Sequence, residues 1–290
     1  MQCALCKKEA KLEESHVIPK FVFKSMKKNS PTGNMRIANE PNKKIQDGDK
    51  LYLLCGECED LFNKDETLFA NNIYHNFQQE KLKVFEYGEW LERFIVSVNW
   101  RTLYLDILGF IEQRNVSQKQ LDYLMMCEEK MRKYLLGSNE SLNPIENHIF
   151  FFRKIEIASR EVAEMNLHSS VGGSITGYTI ISDLHNSAYI FMNLQGLIIV
   201  TILKRADEEE WTETLVNKQG SFNLEQPQVM NSPVSSELMY LSYQYGESKV
   251  KLNENQREKI IEAVMKNKEK FLQSKSYRRL QYDKELKEKE

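Results

Sequence analysis

Cys3-Ala4-Leu5-Cys6, near the start of the chain, and Cys55-Gly56-Glu57-Cys58, with 48 residues between the two pairs, decide how the N-terminal part is read. A CxxC pair sets two thiols about one turn apart, so both sulfurs can face one ion. Two pairs complete the sulfur tetrahedron that Zn²⁺ prefers, with Zn–S near ~2.3 Å. The competing reading is two disulfides or four unrelated thiols. Met1 is followed within two residues by Cys3, and charge begins at Lys7, which is unlike a secretory leader. A cytoplasmic chain is therefore expected, and there paired CxxC motifs bind metal rather than oxidise. Four sulfurs leave no open position for water, so the zinc expected on Cys3, Cys6, Cys55 and Cys58 is structural.

The rest of the composition is that of a globular protein. Of 290 residues, 41% are hydrophobic and 28% charged, which argues against disorder. The longest uncharged apolar run, Gly196 to Leu203, falls far short of the ~20 residues that cross a bilayer, so no membrane is expected. A net charge of −2 hides an uneven spread. Residues 1–50 carry 11 Lys/Arg against 6 Asp/Glu, residues 251–290 carry 12 against 8, and the middle is acidic. A basic start suggests where a polyanion lands. The closely mixed signs of Lys284 to Glu290 read instead as a frayed, solvated helix end.

The expected fold class is α+β, divided into a zinc module over residues 1–80 and a C-terminal region over 81–290. In the module, Pro19 opens a helix that breaks between Asn29 and Gly33, residues 34–50 form a loop or hairpin, and Leu51–Leu54 is a strand. A further helix follows the second CxxC to about Phe77. Beyond it, residues 86–166 read as helical. Leu91, Phe94, Ile95, Val98, Leu105 and Leu108 form one stripe, and Trp90, Trp100 and Tyr104 widen it. Ser117 caps the next helix, which closes at Gly137 with Cys127 in its core face. Strands are expected within 175–217, at Tyr178–Ile181, Ala188–Met192 and Leu197–Leu203, with Leu215-Val216 as an edge. Helices return over 233–275. The acidic run Asp207–Glu210 reads as a solvated loop. His75, His148, His168 and His185 show no partner spacing and read as surface or core residues.

One further group stands between the cysteine pairs and after them. His16 lies in Glu14-Ser15-His16-Val17-Ile18-Pro19, and Glu59 directly follows the second pair in Leu54-Cys55-Gly56-Glu57-Cys58-Glu59-Asp60-Leu61-Phe62-Asn63. This order of CxxC, HxIP and LCxxC entering a helix resembles the zinc-stabilised form of the HNH, or His-Me finger, nuclease family, over roughly residues 1–70. The resemblance implies a zinc-bound ββα-metal, treble-clef-like module that hydrolyses phosphodiester bonds. It assigns His16 as general base on a water. It also implies a catalytic Mg²⁺ or Mn²⁺ held by oxygen ligands, for which Glu59, Asn63 and Ser15 are the candidates, with Glu66 continuing the same helix face. The sequence departs from the family at three points. Ser15 stands where an Asp is usual, and Glu59 where a His is usual. The Asn that orients the catalytic His has no clear counterpart, its stretch being occupied by Asp47 and Asp49.

Lys20, Lys24, Lys27 and Lys28 recur at helical spacing after Pro19 and are the expected phosphate contacts. The leading expectation is therefore an HNH-like endonuclease acting on DNA ahead of RNA, in a bacterial defence or mobile-element setting. A protein partner or homodimer is expected through the C-terminal region. The alternatives are a non-catalytic zinc module that binds nucleic acid or protein, and a zinc-stapled scaffold. The sheet region carries no Gly-rich phosphate cradle.

Overall fold

The computed structural model of the protein describes residues 1–138 and 141–289. Its N-terminal part runs β1 (Leu12–His16), α1 (Lys20–Asn29), β2 (Met35–Arg36), β3 (Lys44–Ile45), β4 (Lys50–Cys55) and α2 (Gly56–Phe69), which continues through a π-helical turn, Ala70–Tyr74, into α3 (His75–Gln78). β1 and β4 pair antiparallel, while β2 and β3 close a small hairpin inside the connection. Pro19 sits one position before the first turn of α1 rather than in it, which its fixed φ and missing N–H permit.

β5 (Val84–Tyr87) leads to α4 (Glu89–Gln113) and α5 (Gln118–Leu135). Ser117 caps α5 through a reciprocal box with Gln120, and Gly137 follows with φ +82°. α4 is long and apolar enough to cross a membrane by length and composition. Here it is the core helix. From Phe94 to Leu103 every residue is buried, whereas Leu105 is only half-buried and Leu108 is exposed, so the expected stripe stops short of its C-terminal end. α5 packs along α4, and the sheet lies across it.

That sheet is four-stranded and antiparallel in the order β6-β9-β8-β7, from β6 (Glu146–Phe151), β7 (Ile175–Ser182), β8 (Ser187–Leu194) and β9 (Leu197–Lys204). β6 corrects the expectation of a helical stretch through residue 166. Its six residues pair with β9 from Glu146↔Ile202 to Phe151↔Leu197, and an apolar run of that length fits a buried strand better than a helix. β8 and all but the last residue of β9 are buried throughout, since α4 lies on one face and α6 (Arg160–Glu164), α7 (Leu167–Gly172) and later helices cover the other. The β8–β9 turn places Gln195 and Gly196 at positive φ, as a two-residue hairpin requires. Leu215 bridges to His148 at the sheet's edge.

The remaining elements are β10 (Glu210–Thr212), β11 (Gly220–Asn223), β12 (Val229–Asn231), a 3₁₀ turn at Pro233–Ser235, and α8 (Ser236–Lys251), α9 (Glu254–Lys266), α10 (Lys268–Leu272) and α11 (Lys275–Glu288). Two expectations change here. The acidic run is not wholly solvated, because the Glu209 carboxylate is buried, where it accepts from Trp211 Nε1 at 2.8 Å and from the Ala206 backbone N–H at 3.0 Å. The C-terminal segment is not a frayed end either, although Glu290 lies outside the described residues. α11 docks on α7 through buried Leu286 and Asp283. The Asp283 carboxylate accepts from the backbone N–H of His168 and Ser169 and from His168 Nδ1, at 2.9–3.0 Å. A carboxylate at a helix start answers N–H groups that have no partner within the helix.

The N-terminal part has no core to itself. Cys3, Leu5, Leu12, Leu54 and Phe62 pack in one cluster with Val96, Trp100 and Leu103 of α4 and Leu124 and Met131 of α5.

Asp283→Ala leaves three buried donors without their acceptor. We expect a loss of about 3 kcal/mol, measured by urea denaturation, with early proteolytic release of α11. An unchanged cleavage pattern would show that α11 is held by its apolar contacts alone.

Candidate functional site

The two cysteine pairs meet. Cys3 and Cys6 lie in a turn before β1, Cys55 ends β4, and Cys58 sits in the first turn of α2. All four Sγ atoms fall within 4.8 Å of one another, and Cys6 Sγ is 3.8 Å from Cys55 Sγ. A tetrahedron with Zn–S near ~2.3 Å has an edge of about 3.8 Å, so the group fits zinc. No sulfur is bonded to another, all five cysteines being free. Burial pushes the Cys3 thiol up, but backbone N–H groups of Cys6, Cys55 and Leu5 hydrogen-bond to it and bring it down to about 7. The Cys55 N–H lies 3.4 Å from Cys3 Sγ. Cys127, buried on α5 away from the group, has its thiol raised by burial to about 11 and is an inert core residue. Among the described residues, these four cysteines are the only set of three or more His, Cys, Asp or Glu ligand atoms gathered closely enough for a metal.

Beside this cluster, β1 and α2 bring Ser15 and Glu59 together, while His16, the next residue of β1, meets the loop that carries Asp47. The β1–β4 register shifts between Glu13 and Glu14. A bulge of this kind re-aims the side chains that follow it. As a result Ser15, rather than Glu14, points inward with Leu12, and its hydroxyl donates to Glu59 Oε1. Glu59 is half-buried. Asn63, one turn further along α2, faces solvent.

His16 is held from two sides. Its Nε2 is buried 3.1 Å from Asp47 Oδ1, close enough for an ion pair but without hydrogen-bond geometry, and neither ring nitrogen has a hydrogen bond among the described residues. Burial would raise the Asp47 pKa, but His16, Lys50 and the Gly48 N–H together draw it down to about 2. Lys50 Nζ is 3.2 Å from the same carboxylate. The loop that carries Asp47 approaches so closely that a Cβ on Gly48 would lie 2.1 Å from the Phe23 ring of α1. Only glycine fits there.

The second support comes from α4. Arg101 is 2% exposed; it donates from Nη1 to the His16 carbonyl at 2.9 Å and from Nη2 to Glu66 Oε1 at 2.6 Å, while its guanidinium lies over the Phe62 ring. Glu66 therefore anchors α2 to α4 and is not open to a ligand. Arg93 to Asp65, at 2.8 Å, is a second tie between the same helices. Neither Asp47 nor Arg101 is singled out by the sequence. Asp47 lies in the stretch where an orienting Asn is missing, and a lone Arg inside the apolar run of α4 is the signal that a buried partner waits elsewhere.

Lys20, Lys24 and Lys28 are exposed on one face of α1. Lys27 is committed to structure, donating to the Gln46 carbonyl at 2.6 Å.

Two measurements follow. Metal analysis of purified protein should find about one zinc per chain, and Cys58→Ser should lose it together with the N-terminal fold. Asp47 contributes stability that is complete above about pH 4 and fades as the pH falls toward about 2, because its carboxyl titrates lower in the folded chain. The urea midpoint of Asp47→Asn should therefore lie below that of the wild type at pH 5 and approach it near pH 2. No protein-family model matches the chain, and neither the curated proteins nor the solved structures contain a match to it.

Proposed function

We propose that the zinc-bound N-terminal part is an HNH-like, ββα-metal endonuclease that hydrolyses phosphodiester bonds in DNA. The observation that carries this reading is the setting of His16, with one ring nitrogen buried against an ionised Asp47 and the other without a protein partner. A carboxylate beside an imidazole stabilises the positive charge that the ring gains when it takes a proton from water. The missing orienting Asn is then replaced by Asp47, reached from the loop before β4. Arg101 holds the backbone of the same residue, so the ring has little freedom to drift.

Glu59 and Ser15 offer hard oxygen donors that already meet each other at the start of α2, and Asn63 adds an amide on the same helix. Such a set suits Mg²⁺ or Mn²⁺, which keep several waters and take few protein ligands. When bound, the ion neutralises charge at the scissile phosphate. Exposed Lys20, Lys24 and Lys28 supply phosphate contacts beside the site that carry no sequence information.

One observation favours a second reading. The Ser15 hydroxyl already satisfies Glu59, as in a zinc module that binds nucleic acid without cutting it. Supercoiled plasmid incubated with wild type and His16→Ala, under Mg²⁺, Mn²⁺ or chelator, separates the two. The nuclease reading expects metal-dependent nicking that falls about 10²–10⁴-fold in the mutant. Equal binding by both proteins, with the plasmid intact under every metal, would establish the second reading.

A further inference from the structure

A cavity of about 360 Å³ opens on the side of the molecule where α3, α7, α11 and the β8–β9 turn meet. That volume is at the small end of the range for ligand sites. Two cations of α11, Lys275 and Arg279, line it. Arg279 is set deep between elements, and a Cβ on Gly172 would fall 2.8 Å from its Nε, so α7 makes room for the guanidinium with glycine. Among the described residues, Arg279 has no hydrogen bond or ion pair. Lys275 Nζ has only a neutral partner, Gln78 Oε1 at 2.9 Å.

No nearby carboxylate forms an ion pair with either cation among the described residues, and only Glu80 acts on them by charge. Glu80 is taken by Arg278 at 2.8 Å, Glu225 by Lys83 at 3.2 Å and Glu285 by Lys154 at 2.7 Å. Burial and the neighbouring Arg279 bring Lys275 down to about 7, and burial lowers Arg279 to about 10. A buried cation without a partner is costly, and an anion entering the cavity removes that cost. The planar fork of an arginine beside a lysine matches phosphate oxygens. The lining also holds the rings of Phe77 and Tyr282, with Lys275 Nζ 5.9 Å from the first centroid and Lys154 Nζ 4.8 Å from the second, and an aromatic ligand packs against a ring by face or by edge.

We propose that this cavity binds a small phosphate monoester carrying an aromatic ring, of the class of a nucleoside monophosphate, with its phosphate on Arg279 and Lys275 and its ring against Phe77 and Tyr282. The site lies on other elements than His16 and does not depend on the nuclease reading.

Isothermal titration of the full chain with AMP, inorganic phosphate and adenosine tests it. AMP is expected to bind more tightly than phosphate, and adenosine not at all. Arg279→Gln should weaken AMP tenfold to a hundredfold, and Lys275→Gln should weaken it less. Both variants should melt at or above the wild-type temperature without ligand, because each loses an uncompensated charge. His16→Ala should bind AMP as the wild type does, so this result and the plasmid result stand apart. Binding of adenosine equal to that of AMP, phosphate as tight as AMP, or no heat with any of the three at millimolar concentration would overturn the proposal. A lower melting temperature in both variants with AMP affinity unchanged would do the same, by making the two cations structural.

Discussion

The burial of α4 on all sides is the constraint on which the other elements depend. Ten consecutive residues, Phe94 to Leu103, are shut away from water, so the helix must be covered at once by α2, α5 and the sheet. Four of those ten are polar, and each donates to a partner, although Asn99 Oδ1 accepts nothing. Ser97 and Thr102 donate back to carbonyls of their own helix, and Asn99 donates to Thr201, which passes its own proton to Asn147. That chain of bonds fixes α4 against β9 and β6. Arg101 does the same toward the N-terminal part. Apolar contact alone would let these layers slide. A buried donor left unpaired costs about 1–3 kcal/mol, so the polar groups select one register among the greasy alternatives.

The same helix connects the metal cluster to the site beside it. The four cysteines join the turn before β1 to the junction of β4 and α2, which fixes the ends of the hairpin. They do not reach His16. What places the imidazole is the bulge in β1, the Gly48 loop pressed on Phe23, and Arg101 reaching across from α4. The cysteine group and Arg101 thus act on opposite ends of the same strands. The motif is too small to bury much surface of its own, and it borrows the core of the larger region. Its geometry depends on a helix that lies beyond residue 80.

Much of this was legible from residue order. The paired CxxC motifs identified the cluster because tetrahedral sulfur has few other sequence solutions, and the capping box at Ser117 and the close at Gly137 are local chemistry. β7, β8 and β9 were readable because their apolar runs are short and bounded by turns. β6 was not, since Glu146–Phe151 gives the same apolar signal as a buried helix segment until β9 is there to pair with it. α11 was read as a solvated end because its charges alternate closely. The residues that decide its fate, Asp283 and Leu286, look no different from their neighbours until α7 presents its free N–H groups.

By itself, the sequence determined which four cysteines gather and that helices are mixed with small antiparallel sheets, because these rest on spacing within a turn or a strand. Only the tertiary structure decided that Asp47 faces His16, that Arg101 bridges His16 and Glu66, and that Arg279 lines a cavity without an ion-pair partner among the described residues. Each of these joins residues far apart in the chain. A charge in isolation reads as surface, and its role emerges only when folding removes the water that would otherwise have solvated it.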